Sequence, residues 1–141
     1  MSVSNERLVS IYRILIVVST AIFVVFYWLP YFDSPLYTVD MNELRKWDGL
    51  DAAVEVTLTV QVGLFAMGLA APLLMYFFIV GSREIFLLTT LTFAAANIGF
   101  GARVLMPLDM FLGGLVNIAD GAILAIAYLT SLSERWAQRE K

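Results

Sequence analysis

The 141-residue sequence contains no cysteine and no histidine, and only 15% of its residues are charged. Without cysteine, the chain has no disulfide, no thiol nucleophile and no thiolate ligands for zinc or an iron–sulfur cluster. Without histidine, it lacks a Ser-His-Asp triad and the usual ligands of haem and catalytic zinc. A nucleic-acid partner would need a basic stripe, whereas this chain has a net charge of −3. The sequence therefore favours a non-enzymatic protein with no cofactor, no metal and no nucleic-acid partner.

Apolar side chains are in excess, at 60% of all residues. A soluble domain typically has about 45–50% apolar residues and about 25% charged ones. A membrane-spanning helix needs about 20 mainly apolar residues, and the segments that qualify cover residues 8–29, 52–80, 84–106 and 110–132. We expect an all-α integral membrane protein, a four-helix transmembrane bundle that forms one domain over residues 1–141.

The one long connection, residues 31–51, follows the first helix. Asp40 and Glu43 have the spacing of a capping box, which predicts a short extracytoplasmic helix from Met41 to Trp47 lying on the membrane surface. Pro72 should kink the second helix or disturb its hydrogen bonds. Tight turns are expected at residues 81–83 and 107–109.

Positive charges near the helix ends predict the orientation, because cytoplasmic loops are enriched in Lys and Arg. A cytoplasmic N-terminus places six such residues inside: Arg7, Arg13, Arg83, Arg135, Arg139 and Lys141. It leaves three outside: Arg45, Lys46 and Arg103. Both termini are therefore expected to be cytoplasmic. The compact plan favours the inner (plasma) membrane of a bacterium, with the chain crossing it several times.

Polar residues inside the predicted spans are the main candidate site. With a rise of about 1.5 Å per residue, Gln61, Asn97, Asn117 and Asp120 all lie about 11–15 Å from the outer helix ends. We expect them to form a polar cluster between the second, third and fourth helices. Such a cluster can bind a small molecule, an ion or a proton, or it can hold the helices together by hydrogen bonds. Both interpretations stay open for Asp120.

Two charged residues lie nearer the membrane surface. Glu55 and Arg103 each lie about 5 Å inside the outer helix ends. Because charges within a membrane tend to pair, we expect a structural ion pair between them at the interface. Arg103 can also extend toward lipid phosphates, which requires no specific function.

Small residues on two predicted helices allow close approach of backbones. Ala95 and Gly99 are four residues apart in the third helix, and Gly121 and Ala125 are four apart in the fourth. Packing inside the bundle is one use of such pairs, and association with a second chain is the other. The expected partners are therefore the lipid bilayer and either another membrane protein or a second copy.

The overall plan resembles the DoxX-like group of small four-pass bacterial membrane proteins. The shared features are length, four helices, a long loop after the first helix, and the motif Gly-x-Gly-Ala-Arg-Val-Leu at residues 99–105. Some members of that group resemble accessory subunits of respiratory or redox assemblies. The resemblance implies an accessory role and assigns no functional residue. Our expectation is an accessory or interaction subunit of a membrane complex. The alternative is binding or transport of a small molecule, ion or proton through the polar cluster.

Overall fold

The computed structural model describes residues 3–45 and 49–139, and its regular structure is helical. Two short 3-10 turns, Leu29–Tyr31 and Ser34–Leu36, lie in the first loop. Within the described ranges no strand forms, and the extended segments make one isolated β-bridge, between Leu50 and Ala102. The all-α class is thus confirmed. In chain order the helices are α1 (Val3–Trp28), α2 (Val39–Leu44), α3 (Leu58–Tyr76), α4 (Ser82–Gly99), α5 (Pro107–Leu129) and α6 (Ser133–Arg139).

Three segments of the described chain are long and apolar enough to cross a membrane: Asn5–Tyr31, Leu58–Tyr76 and Pro107–Leu129. They contain α1, α3 and α5. Helix α4 is not among them: it is just long enough, at 18 residues, but its polar start Ser-Arg-Glu makes it less apolar than the other three. A membrane protein with three candidate spans is therefore supported, and the fourth span remains a prediction.

Helix α1 is central to the packing, with its most extensive contacts to α5 and α3. Ser19 of α1 bonds to Asp120 of α5, and Tyr12 of α1 bonds to Met75 of α3. The polar contacts were expected between the second, third and fourth helices, whereas these bonds join the first helix to α3 and α5. At the terminal end of the fold, defined as the end where Asn5 and Ser131 meet, their side chains are 2.8 Å apart.

The second predicted helix is shorter than expected, because α3 covers Leu58–Tyr76 rather than residues 52–80. It starts at Thr57, whose hydroxyl accepts a hydrogen bond from the Val60 N–H at 3.3 Å. It continues through Pro72 and ends in a Schellman motif. There Phe78 has a φ of +54°, and its N–H bonds to the Met75 carbonyl at 3.1 Å.

The third predicted helix, residues 84–106, is also too long, because α4 ends at Gly99. The chain after it pairs with the segment before α3: the Ala102 N–H donates to the Leu50 carbonyl at 2.9 Å, and the Val54 N–H donates to Gly99 at 3.0 Å. Gly101 has a φ of +77°, and a Cβ there would lie 2.4 Å from the Leu50 oxygen. Glycine is required for this close approach, and the resulting backbone pairing replaces the helix.

The first loop and the fourth predicted helix differ in detail from the sequence-based expectation. Helix α2 begins after Thr38, whose hydroxyl accepts from the Met41 N–H at 3.4 Å, so the cap is Thr38 rather than Asp40. Trp47, the predicted end of this helix, lies outside the described residues. Pro107–Asp109 is the first turn of α5 rather than a separate turn, so α5 covers Pro107–Leu129 instead of residues 110–132.

Candidate functional site

The structure does not bring the four predicted cluster residues together around Asp120. The hydrogen bond to the Asp120 carboxylate comes from Ser19 of α1, at 2.8 Å. Asp120 is partly buried, about 20 Å along α5 from Pro107 and about 14 Å from Leu129. Asp120 is thus farther from the start of its helix than the expected 11–15 Å, because α5 begins at Pro107 rather than at residue 110. Its partner lies on the first helix, which was not among the three expected to form the cluster.

Gln61 lies near the start of α3, against the aromatic end of α1. The Tyr27 hydroxyl donates to the Gln61 backbone carbonyl, and the Tyr31 hydroxyl donates to its Oε1 at 3.3 Å. Because α3 starts at Leu58, Gln61 is only one turn inside the helix and not at its middle. Its position near the helix end explains its separation from Asp120.

Asn97 and Arg103 meet at the end of α4. The Asn97 amide donates to the Phe93 carbonyl at 3.0 Å, and Arg103 donates to Asn97 Oδ1 at 3.2 Å. Glu55 is exposed in the extended segment before α3. Among ion pairs between described residues, none joins Glu55 to Arg103. The two residues were expected at the same membrane depth on the assumption that the second helix begins at residue 52 and the third ends at residue 106. The structure shows shorter helices, so the assumption does not hold.

Asn117 lies on the outward face of α5, opposite the buried Ala119, Ile123 and Ala127. The Asn117 side chain is exposed and makes no hydrogen bond within residues 3–45 and 49–139. A Cβ added at Gly114 or Gly121 would meet nothing within 4 Å. The outward face of α5, defined as Gly114, Asn117, Gly121 and Ala125, is thus open, with an unbonded amide at its centre.

A buried ion cluster ties the first loop to α5, and sequence reasoning missed it. Arg45 donates to the Asp33 carboxylate through both terminal guanidinium nitrogens, with Nη1 at 2.7 Å from Oδ1. Its Nη2 also lies 3.8 Å from Asp109 Oδ2. Both carboxylates are buried, and the Tyr37 ring centroid is 5.5 Å from the Arg45 guanidinium carbon. The hydrogen bond to Asp33 raises the pKa of Arg45. No spacing in the sequence pairs residues 33, 45 and 109, so this cluster could not be predicted from the sequence.

An aromatic cluster closes the terminal end. Trp136 of α6 is fully buried and donates its indole N–H to the Ser82 hydroxyl at 2.8 Å. Its ring packs on Phe78 at 4.7 Å and edge-on to Tyr12 at 6.1 Å. Arg83 lies 5.3 Å from the same ring. This end of the chain lies beyond the last expected helix, residues 110–132, and the one tryptophan among its mainly polar residues is the only sequence signal of a buried anchor.

Comparisons with known proteins give no further guide to the site. No family model matches the chain, and neither the curated proteins nor the solved structures provide a match. The function is therefore inferred from the residues and their geometry.

Proposed function

We propose that the chain is a non-enzymatic integral membrane protein that acts as an accessory or interaction subunit of a membrane complex. The observation that carries this proposal is the exposed Asn117 amide on the outward face of α5. The partner is a transmembrane helix of another membrane protein, with a hydrogen-bonding side chain at the depth of Asn117. Carboxylate chemistry has no role in this proposal.

The chemistry of the bilayer makes Asn117 informative. Its position is about 15 Å from Pro107 and about 18 Å from Leu129, which is the middle of a candidate span. Hydrocarbon offers no hydrogen bonds, so an amide facing lipid there is unfavourable by several kcal/mol. A partner helix relieves this penalty, and small residues beside the amide let its backbone come close.

The proposed setting is the bacterial inner membrane, with α4 as a fourth span and both termini in the cytoplasm. Six basic residues on the terminal side against three on the other favour this orientation. The contact of Asn5 with Ser131 supports termini on the same side. This arrangement is consistent with the resemblance to the DoxX-like group.

Co-purification from native membranes tests the interaction. We compare the wild-type chain, Asn117→Leu, and the control Thr92→Val, extracted in mild detergent and analysed by native mass spectrometry. Thr92 is also exposed, but its hydroxyl bonds to Leu88 within its own helix, so its removal should not affect a partner. The proposal expects one reproducible protein partner with the wild type and the control, lost or reduced about tenfold in Asn117→Leu. A monomer or a homo-oligomer in all three samples would contradict it.

The second candidate, binding or conduction of an ion, a proton or a small molecule, is favoured by Asp120. Its carboxylate is partly buried near the middle of α5, and Ser19 bonds to one of its two oxygens. An ionisable residue at that depth commonly marks an ion or proton pathway. Ion or proton flux into vesicles containing the wild-type chain, abolished by Asp120→Asn, would favour this candidate.

A further inference from the structure

Two adjoining surface depressions run along α1 and share the residues Val17 and Tyr76. The first has a polar mouth formed by Glu6, Ser10 and Arg13 near the terminal end. The second follows the contact between α1 and α3. Because they share these two lining residues, the depressions adjoin each other, and together they are here called the α1–α3 groove, which is polar at one end and apolar along the rest.

Arg13 is held in place at the polar mouth by aromatic rings rather than by an anion. Its guanidinium carbon is 5.0 Å from the Tyr76 ring centroid and 5.7 Å from that of Phe78. Its Nε is buried, and no acceptor for it lies within the described part of the chain. Arg13 is partly exposed and lines the first depression, so its terminal guanidinium nitrogens, rather than the buried Nε, are the atoms that can bind a phosphate oxygen.

The rest of the groove is lined by apolar side chains. Val24 of α1 marks its far end, and Leu73 of α3, which is 58% exposed, forms part of its wall. Arg13 to Val24 is eleven residues of α1, or about 16 Å. One leaflet of a hydrocarbon core about 30 Å thick has a similar depth. The groove is therefore long enough for one acyl chain, and it passes the level of Ser19, which bonds to Asp120 near the middle of α5.

Glu6 defines the headgroup. It lies seven residues before Arg13, two helical turns farther toward the terminal end and on the same face of α1. The mouth thus carries a guanidinium at the deeper level and a carboxylate farther out. An amine-bearing headgroup has the complementary order, with its phosphate nearer the acyl chains and its ammonium farther out.

We propose that the α1–α3 groove binds one phospholipid with an amine-bearing headgroup, its phosphate on Arg13, its ammonium on Glu6, and one acyl chain along α1 and α3. This site lies on α1 and α3, away from the outward face of α5. The proposal of lipid binding is therefore independent of whether α5 binds a protein partner.

Lipid retention measured by native mass spectrometry tests this site. The full-length chain is delipidated in detergent and then incubated with equal amounts of dioleoyl-phosphatidylethanolamine and dioleoyl-phosphatidylglycerol. The wild type should retain one phosphatidylethanolamine per chain. Arg13→Gln should lower its retention about tenfold through loss of a charge-assisted hydrogen bond, whereas Arg13→Lys should restore part of it.

Two further variants separate the specific site from general charge effects. Arg7→Gln removes an arginine of α1 that does not line the groove, and retention should stay at the wild-type level. Glu6→Gln should lower retention of phosphatidylethanolamine and shift the preference toward phosphatidylglycerol. Equal retention in wild type and Arg13→Gln, both with native helical circular dichroism, would overturn the site. Wild-type preference for phosphatidylglycerol would overturn the assignment of the headgroup.

Discussion

Trp136 and Ser82, 54 residues apart in the sequence, are joined by a buried hydrogen bond of 2.8 Å from the indole N–H to the hydroxyl. The bond fixes the short helix α6 to the first turn of α4. Both side chains are fully buried, so each supplies the partner that the other cannot obtain from water or lipid. The terminal end is therefore a closed structure that includes the last helix.

This bond predicts the effect of Ser82→Ala. The substitution leaves the buried indole N–H without an acceptor, so the free energy of unfolding should fall by about 1–3 kcal/mol. Thermal unfolding in detergent, followed by circular dichroism, measures the change. The control is Ser34→Ala, in an exposed position of the first loop, and it should unfold like the wild type. Equal unfolding temperatures for Ser82→Ala and wild type would show that the bond contributes nothing.

Two glycines of α3 should respond in opposite ways to alanine. At Gly68, an added Cβ would lie 2.3 Å from the Phe23 ring, which is itself packed against Phe65 and Phe93. We expect Gly68→Ala to destabilise the fold by about 1–3 kcal/mol through overpacking. At Gly63, nothing lies within 4 Å, and alanine should stabilise the helix by about 0.5–1 kcal/mol. The order of the two unfolding temperatures is the test, and the reverse order would contradict the packing of α1 on α3.

The ion cluster of the first loop should depend on Asp33. Asp33→Asn removes the carboxylate from a buried pair with Arg45, which should reduce stability by about 3–5 kcal/mol and expose the loop to protease. Asp40→Asn, an exposed change in the same loop, is the matched control. Limited proteolysis followed by mass spectrometry locates the cleavage. Equal cleavage rates in the two variants would contradict the role of the pair.

The stability of this ion cluster at basic pH depends on the charge of Arg45. Its pKa is raised by the hydrogen bond to Asp33, so its stabilising effect is present below the unfolded-state pKa and is lost only as pH rises through the higher folded-state value. Arginine stays protonated well past pH 10. Protection of the loop from protease should therefore be the same at pH 7 and at pH 9. A loop released at pH 9 would mean that another group holds it.

The contact between Ser19 and Asp120 predicts an energetic coupling between α1 and α5. A double-mutant cycle with Ser19→Ala and Asp120→Ala should give a coupling of about 0.6 kcal/mol, with an upper limit of about 1.7 kcal/mol for bonds inside membranes. Thr20→Val is the control, because Thr20 bonds to the Ile16 carbonyl of its own helix. Strictly additive unfolding free energies would place the Asp120 partner elsewhere.

Hydrophobic runs predicted the existence of the long helices well and their ends poorly. Residues 52–57 were expected to belong to the second helix, yet Val54, with Gly49 and Leu50 just before this stretch, pairs with the backbone of Gly99 and Ala102. That pairing depends on the positive φ of Gly101 and on a contact between residues about 50 positions apart. The local hydrophobic periodicity of the sequence reveals neither the positive φ nor the long-range contact. The helices therefore end earlier than hydropathy alone indicates.

The residues of the predicted polar cluster bond to other partners for a different reason. Depth along a helix follows from residue counting, but rotation about the helix axis is set by which face packs. Helix α5 buries Ala119 and Ile123, so Asp120 lies partly buried at its contact with α1 and Asn117 turns outward. The sequence alone had no information on which helix α5 would contact.

Photo-crosslinking in native membranes tests the central claim that the outward face of α5 meets a protein partner. Because the chain has no cysteine, one cysteine at Ile118, beside Asn117, can carry a benzophenone group at a unique site. Ile98 of α4, which is 86% exposed, is the matched position away from that face. The account predicts a crosslinked protein of defined mass from residue 118 and none from residue 98. No crosslink from residue 118, or the same products from both positions, would contradict it.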